Sequence, residues 1–402
     1  MIRKHLKSFA KKLLIAGLMA FSLMQAAEAK TLPQVDWANE IYTMNIPDSA
    51  KNAAVRRSYQ LLNAGTPQAN RENKNKIIEA INDKLREQQN QLPFKLRTAQ
   101  NAEVDLNAEL TEAAGEAKIS IIPIIAADFA IPIKYNIKGT NYYKYQIVSA
   151  IDIAFCSEDA DGSLTILATI PLQFYMEHPV NKNLNEMSFL TQAEQASKYA
   201  DFTAEMIRKH LDFSKSKKTI AGLLDKSLVA ETYRVDDVAY SSEKAKNMFT
   251  AMLNRRVTAM VFTSDFAATT GNVVYPSPLS GDWAENPSNG LYALQMTSSH
   301  AGEKTVQMAK NVDHPIVLDV TGMGDKEVQT KQTSEVNGFK VYKVWLETTL
   351  DGVKREVTNE ITEEFLKDPS SGSDIIKDPV EIYSALIIGA AVKSATSYKK
   401  GK

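Results

Sequence analysis

SLTILATIPLQFY, residues 163–175, has an apolar residue at every second position from Leu164 to Phe174. A period of two is the signature of a strand, and it places Leu164, Ile166, Ala168, Ile170, Leu172 and Phe174 on one face. One-sided alternation of this kind fits an antiparallel sheet better than a doubly buried parallel one. Two stretches upstream carry similar patterns, KISIIPIIAADF from Lys118 and YKYQIVSAIDIAFC ending at Cys156. Together the three predict consecutive strands of a mainly antiparallel sheet.

The segment CSEDADGS, residues 156–163, joins the last two of these strands. Asp-Gly accepts the positive φ angles of a tight turn, so Asp161-Gly162 predicts a hairpin. In the strand before it, Tyr145, Ile147, Ile151, Ile153 and Phe155 share one face, and Gln146, Asp152 and Cys156 share the other. The only cysteine of the chain therefore lies away from the richer apolar face. A nucleophilic thiolate needs a cation or helix N-terminus to lower its pKa, whereas Glu158, Asp159 and Asp161 would raise it. A calcium loop aligned on Asp159, Asp161 and Gly162 would have Ser157 at the first ligand position and Ala168 in place of the bidentate glutamate. The hairpin turn accounts for these residues; a weak cation site and a working cysteine are the alternatives.

Helical patterns flank the sheet. Val55, Tyr59 and Leu62 form one stripe and Ile77, Ile78, Ile81 and Leu85 another, which predicts a helical pair over residues 51–92 with NAGTPQANREN, residues 63–73, as the loop between them. Thr191 and Glu194 have capping-box spacing, and Ala196, Ala200, Ile207 and Leu211 continue on one face. Further helices are predicted over Ile220–Leu228 and after Ser241. From about Arg256 the pattern returns to strands, among them NGLYALQM, HPIVLDV and KVYKVWLETTL, the last ending in a hairpin at Asp351-Gly352. A final helix begins at Pro379, and its apolar centre, ALIIGAAV, is too short to cross a bilayer.

The N-terminus reads as a signal peptide. Arg3, Lys4, Lys7, Lys11 and Lys12 precede a 12-residue apolar run from Leu13 to Met24, and small residues follow at Ala27 and Ala29. This predicts cleavage before Lys30 and export to the periplasm or beyond the cell. No cysteine is placed for a lipid anchor. Losing five basic residues and one acid takes the formal charge from −1 to −5, and the remaining lysines are scattered among acids. Nucleic acid is therefore an unsuitable partner. A single cysteine also excludes an internal disulfide, so stability must come from the core. The 373 residues left exceed the ~250–300 at which one core stops growing. The expected organisation is α+β, with mainly antiparallel sheets covered by helices in two lobes. Its parts are a signal at 1–29, an N-terminal segment at 30–116 with the helical pair, a first lobe at 117–255, and a second at 256–402 with the C-terminal helix.

No pattern names a reaction. His178, His210, His300 and His314 are far apart and none has metal-ligand spacing, so no metal or cofactor is expected. Ser-x-x-Lys occurs at Ser214, Ser241 and Ser397 without the companion motifs of acyl-serine enzymes. DVTGMGD, with Gly322 and Gly324, lacks the third glycine or Gly-Lys-Ser/Thr of a phosphate loop and is read as a turn. The most informative loop is YPSPLSGDWAENPSNG, residues 275–290, whose prolines, serines and glycines exclude regular structure. Tyr275, Asp282, Trp283 and Glu285 are its candidate binding residues: an indole between two carboxylates can stack on a sugar or plug the loop onto its own lobe. The reading is an exported, non-catalytic envelope or surface protein that binds an envelope protein or a glycan. Its rival is a secreted hydrolase, acting on glycans through carboxylates such as Asp282 and Glu285.

Overall fold

A computed structural model describes residues 34–44, 61–63, 65–98, 119–137, 140–159, 162–180, 192–214, 217, 220, 231–249, 252–281, 283–287, 289–298, 303–329, 337–366 and 379–399. The three strands expected around residue 163 are present and long. β1 (Gln34–Trp37), β2 (Tyr42–Met44) and β3 (Lys95–Thr98) precede β4 (Ile119–Ile137), β5 (Thr140–Glu158) and β6 (Leu164–Val180). β4 to β6 form an antiparallel meander. Its second turn is the expected hairpin, with Gly162 at φ 82° and the Gly162 N–H donating to Asp159 O at 2.9 Å.

What the alternation could not show is that the meander closes on itself. β7 (Thr232–Ala239), β8 (Val273–Val274) and β9 (Ala284–Asn286) lead to β10 (Leu291–Ser298) and β11 (Glu303–Ala309). β11 pairs with β6 and with β10, β10 pairs with β2, and β2 pairs with β4. The ring β2-β4-β5-β6-β11-β10 is a closed six-stranded barrel. Its interior is filled by side chains including Met44, Ile124, Ala154, Cys156, Leu164, Met296 and Met308, as expected of so narrow a barrel.

Outside the barrel, α2 (Gln192–His210) packs on β5 and β6, and α1 (Pro67–Glu87) packs on α2 in the same core. Ile77, Ile81 and Leu85 of α1 and Ala196, Ala200 and Ile207 of α2 enter this outer core, as their spacing predicts. Over Ile147–Cys156 and Leu164–Phe174 both faces of β5 and β6 are therefore largely buried, one inside the barrel and one under the helices. Of the first stripe of the expected pair, Val55 and Tyr59 lie outside the described residues and Leu62 is buried in a 3-10 turn, Leu61–Asn63. α1 begins at Pro67, inside the stretch expected as the loop, because Thr66 caps it by accepting the Ala69 N–H. The helix expected at 220–228 lies outside the described residues apart from Ile220, which is buried.

A β-bulge corrects the reading of the opening stretch. Phe155 pairs with Ala168 and Cys156 with Ile166, so Leu167 is the extra residue. One inserted residue reverses which face each following side chain meets. Leu164 and Ile166 consequently point into the barrel, while Ala168, Ile170, Leu172 and Phe174 point out toward α1 and α2.

The second sheet continues from β6 through a single bridge, Thr169 to Val274. It runs β8-β7-β12-β13-β14, where β12 is His314–Gln329, β13 Asn337–Leu350 and β14 Val353–Leu366. The Asp351-Gly352 hairpin forms as expected, with φ 53° and 73°. One face is covered by α3 (Glu243–Met248), α4 (Met252–Thr270) and α5 (Pro379–Thr396). The apolar centre of α5 is buried there, as its length implied. Strand pairing passes across residue 255 in both directions, since β10 and β11 close a barrel begun by β2.

Residues 252–270 form a helix, which corrects the expectation of strands from about Arg256. Val257, Met260 and Val261 pack into the barrel core and Ala259, Phe262 and Phe266 into the second core. A helix held between two cores is apolar on opposite sides and loses the one-sided 3.6-residue stripe by which helices are recognised. Its valines, threonines and phenylalanines then mimic a strand. DVTGMGD is likewise neither turn nor phosphate loop. It lies inside β12, where a bulge between Val320 and Gly322 shifts the register.

Candidate functional site

The loop after β8 is anchored by its backbone and by two aromatic rings. The Tyr275 N–H donates to Tyr233 O at 2.8 Å, and the Tyr275 side chain is buried at the barrel end. Ser277 Oγ accepts the Leu279 N–H at 3.2 Å, capping a 3-10 turn at Pro278–Ser280. Gly281 is required by close approach: a Cβ there would lie 3.2 Å from Leu294 Cδ2, 3.2 Å from Met44 Sδ and 3.3 Å from Trp283 Nε1. Trp283 packs against the barrel core, with its Nε1 buried and unpartnered among the described residues. β9 then pairs Glu285 with Tyr292 of β10. The loop thus contains a short turn and a short strand, against the expectation of no regular structure.

Three of the four expected binding residues are described. Tyr275 and Trp283 face inward. Glu285 is exposed and ion-paired with Lys310 at 2.8 Å. Asp282 lies outside the described residues.

A tryptophan the sequence reading passed over stands elsewhere. On β13, Val344 and Leu346 enter the helix-covered core, so Trp345 between them belongs to the opposite face. Cross-strand register puts it beside Gly322 of β12 and Thr358 of β14. The indole lies over Gly322 and Gly324: a Cβ at Gly322 would meet Trp345 Cε3 at 2.7 Å, and one at Gly324 would meet Cζ3 at 3.5 Å. Lys343 Nζ stands 5.3 Å from the ring centroid and pairs with Glu360 at 3.7 Å. Two glycines one residue apart in a strand, opposite an aromatic, were the signal for this shelf.

A second unread position is Asp152. It lies on the barrel-facing side of β5, 7% exposed, at a cavity of about 20 Å³ between β5, β6, α4 and the loop after β8. No described group donates a hydrogen bond to its carboxyl, and burial pushes its pKa up to about 7. Gln173 lines the same cavity, and its Oε1 is buried without a partner among the described residues. A lone acid within the apolar run IVSAIDIAFC was the available signal.

Cys156 is held by packing, and Ser241 and Lys244 by hydrogen bonds. Cys156 is fully buried in the barrel, and burial, not the nearby carboxylates, raises its thiol pKa. Ser241 donates its hydroxyl to Asp319, while Lys244 donates to Asp325 and to the Tyr383 hydroxyl at 2.9 Å. Lys340 also pairs with Asp325 at 2.9 Å. The hydrogen bond from Lys244, reinforced by those from Lys340 and Tyr383, holds the Asp325 carboxyl well below the usual carboxylate range. His314 is stacked on Tyr233 at 4.4 Å, with Nδ1 2.7 Å from Asp351, and that hydrogen bond raises its pKa. Among the described residues no group of three or more histidine, cysteine or carboxylate side chains is placed to hold a metal, and no helix is long and apolar enough to cross a membrane.

Fold and site together define an α+β protein with a filled six-stranded barrel, a helix-backed second sheet, and an aromatic shelf on the sheet's other face. No protein-family model matches the sequence, and no curated protein matches it.

Proposed function

We propose that this chain is an exported, non-catalytic protein of the cell envelope or cell surface that binds a glycan. The Trp345 shelf carries the reading. A flat indole outside the core, seated on glycines, offers the apolar ring face on which the C–H side of a sugar stacks. Lys343, whose ammonium lies over the ring and would swing aside toward Glu360 as a sugar stacks, and Glu347 two residues along the same strand face supply charged hydrogen-bonding groups for hydroxyls. The reading of residues 1–29 as a signal puts the protein where glycans are met, in the periplasm or outside the cell.

Trp345→Ala should abolish binding of the mature protein to a glycan array while changing stability by no more than about 1 kcal/mol. Trp283→Ala should instead lower stability by about 2–4 kcal/mol through lost packing on the barrel. Array binding by the wild type that survives Trp345→Ala would remove the shelf from the site, and an array without wild-type signal would remove the glycan. Export is checked separately: mass spectrometry of the mature N-terminus should find Lys30 first, and a retained Met1 would contradict it.

A further inference from the structure

The cavity at Asp152 is independent of the Trp345 shelf and poses a different chemical problem. Its lining carries two acceptors unpartnered among the described residues and two hydroxyls, of which Ser277 Oγ is engaged by the Leu279 N–H at 3.2 Å. Asp152 contributes a carboxyl with no described partner, and Gln173 a buried Oε1 with none. The Thr263 hydroxyl donates to Ala259 O at 2.8 Å and so is directed into its own helix. Pro171 and Pro276, which also line the cavity, have no backbone N–H. Of the charged residues on α4, Arg255 lies over the Tyr240 ring at 5.0 Å, Arg256 donates to Ala126 O at 2.5 Å, and Asp265 has its own pKa raised by burial. None of them pairs with Asp152.

A buried carboxylate that shares a cavity with a second unpartnered acceptor is costly unless something positive or proton-donating lies there too. The space accommodates about one water-sized particle. Oxygen donors select hard cations, and charge selects among those. One carboxylate neutralises a monovalent ion, whereas a divalent ion would leave a net positive charge in a site with no second acid. We propose that this cavity binds one monovalent alkali cation, held by the Asp152 carboxylate and Gln173 Oε1 beneath α4. Such an ion would tie α4 and the loop after β8 to the barrel wall.

The test is thermal unfolding of the mature protein at pH 8.5 and constant ionic strength, with choline chloride replaced stepwise by sodium or potassium chloride. Binding to the folded state alone predicts a saturable rise of several degrees in Tm with one of the two alkali ions. Asp152→Asn should abolish the rise, and Gln173→Leu, which keeps the acid, should shift saturation to higher salt. Identical melts in all three chlorides would overturn the site and leave the cavity to water. A full response retained in Asp152→Asn would place any bound ion elsewhere, and a larger rise with calcium than with sodium or potassium would overturn the monovalent assignment.

Discussion

Asp152→Asn should make this protein more stable by up to about 4 kcal/mol at pH 8 in alkali-free buffer, and change it little at pH 4. Burial lifts the folded-state pKa to about 7 from the ordinary value of 3.8, a difference that corresponds to about 4 kcal/mol. Between those two values the folded chain holds a proton that the unfolded chain has released. Stability is therefore highest at low pH and falls as pH rises toward 7, the reverse of a salt-bridged aspartate. Asparagine keeps the shape and removes the charge, so the advantage of the variant should open between pH 4 and 7 and stay constant above. Urea unfolding of both proteins across that range measures it; an equal difference at both ends would mean that Asp152 ionises freely in the fold. Choline as the only salt cation separates this effect from alkali binding, which should narrow the gap by stabilising the wild type alone.

Arg234→Ala should destabilise by about 3–5 kcal/mol. The guanidinium is 2% exposed and joins the two sheets. From β7 it donates to the backbone at the end of β11, Nη1 to Ala309 O and Nη2 to Lys310 O, each at 2.6 Å, while Nε reaches Asp236 at 2.5 Å. Tyr292 of β10 lies 5.2 Å beneath it. Alanine would lose these contacts, and a buried polar group left without its partner costs about 1–3 kcal/mol. Lysine retains a charge but cannot reproduce the planar fork, so Arg234→Lys should recover only part of the loss. A wild-type denaturation midpoint for Arg234→Ala would show that the sheets are held together by the surrounding core alone.

Much of this architecture is written locally. The meander around residue 163 follows from alternation and an Asp-Gly turn, and α1, α2 and α5 follow from stripes and lengths, because each depends on residues a few positions apart. The candidate site was less legible. Trp283 drew notice as an aromatic in an acidic, proline-rich loop, yet its environment is set by Met44 and Leu294, which no local pattern brings near. Trp345 reads as one more alternating strand residue until register seats it over Gly322.

The sequence by itself determined the α+β character, the two hairpins and the apolar stripes of the flanking helices, since period and turn chemistry are properties of neighbouring residues. Tertiary structure alone decided where those surfaces go. The barrel closes where Thr43 donates to Thr297 O, 254 residues away, and that pairing turns the weaker face of β5 into an interior. It buries Cys156, strands Asp152 beside a small cavity, and presses α4 between two cores until its helical period disappears. A bulge at Leu167 divides a six-residue stripe between two environments. Each outcome depends on which distant strand supplies the partner, because the cost of burying a side chain is set by what covers it.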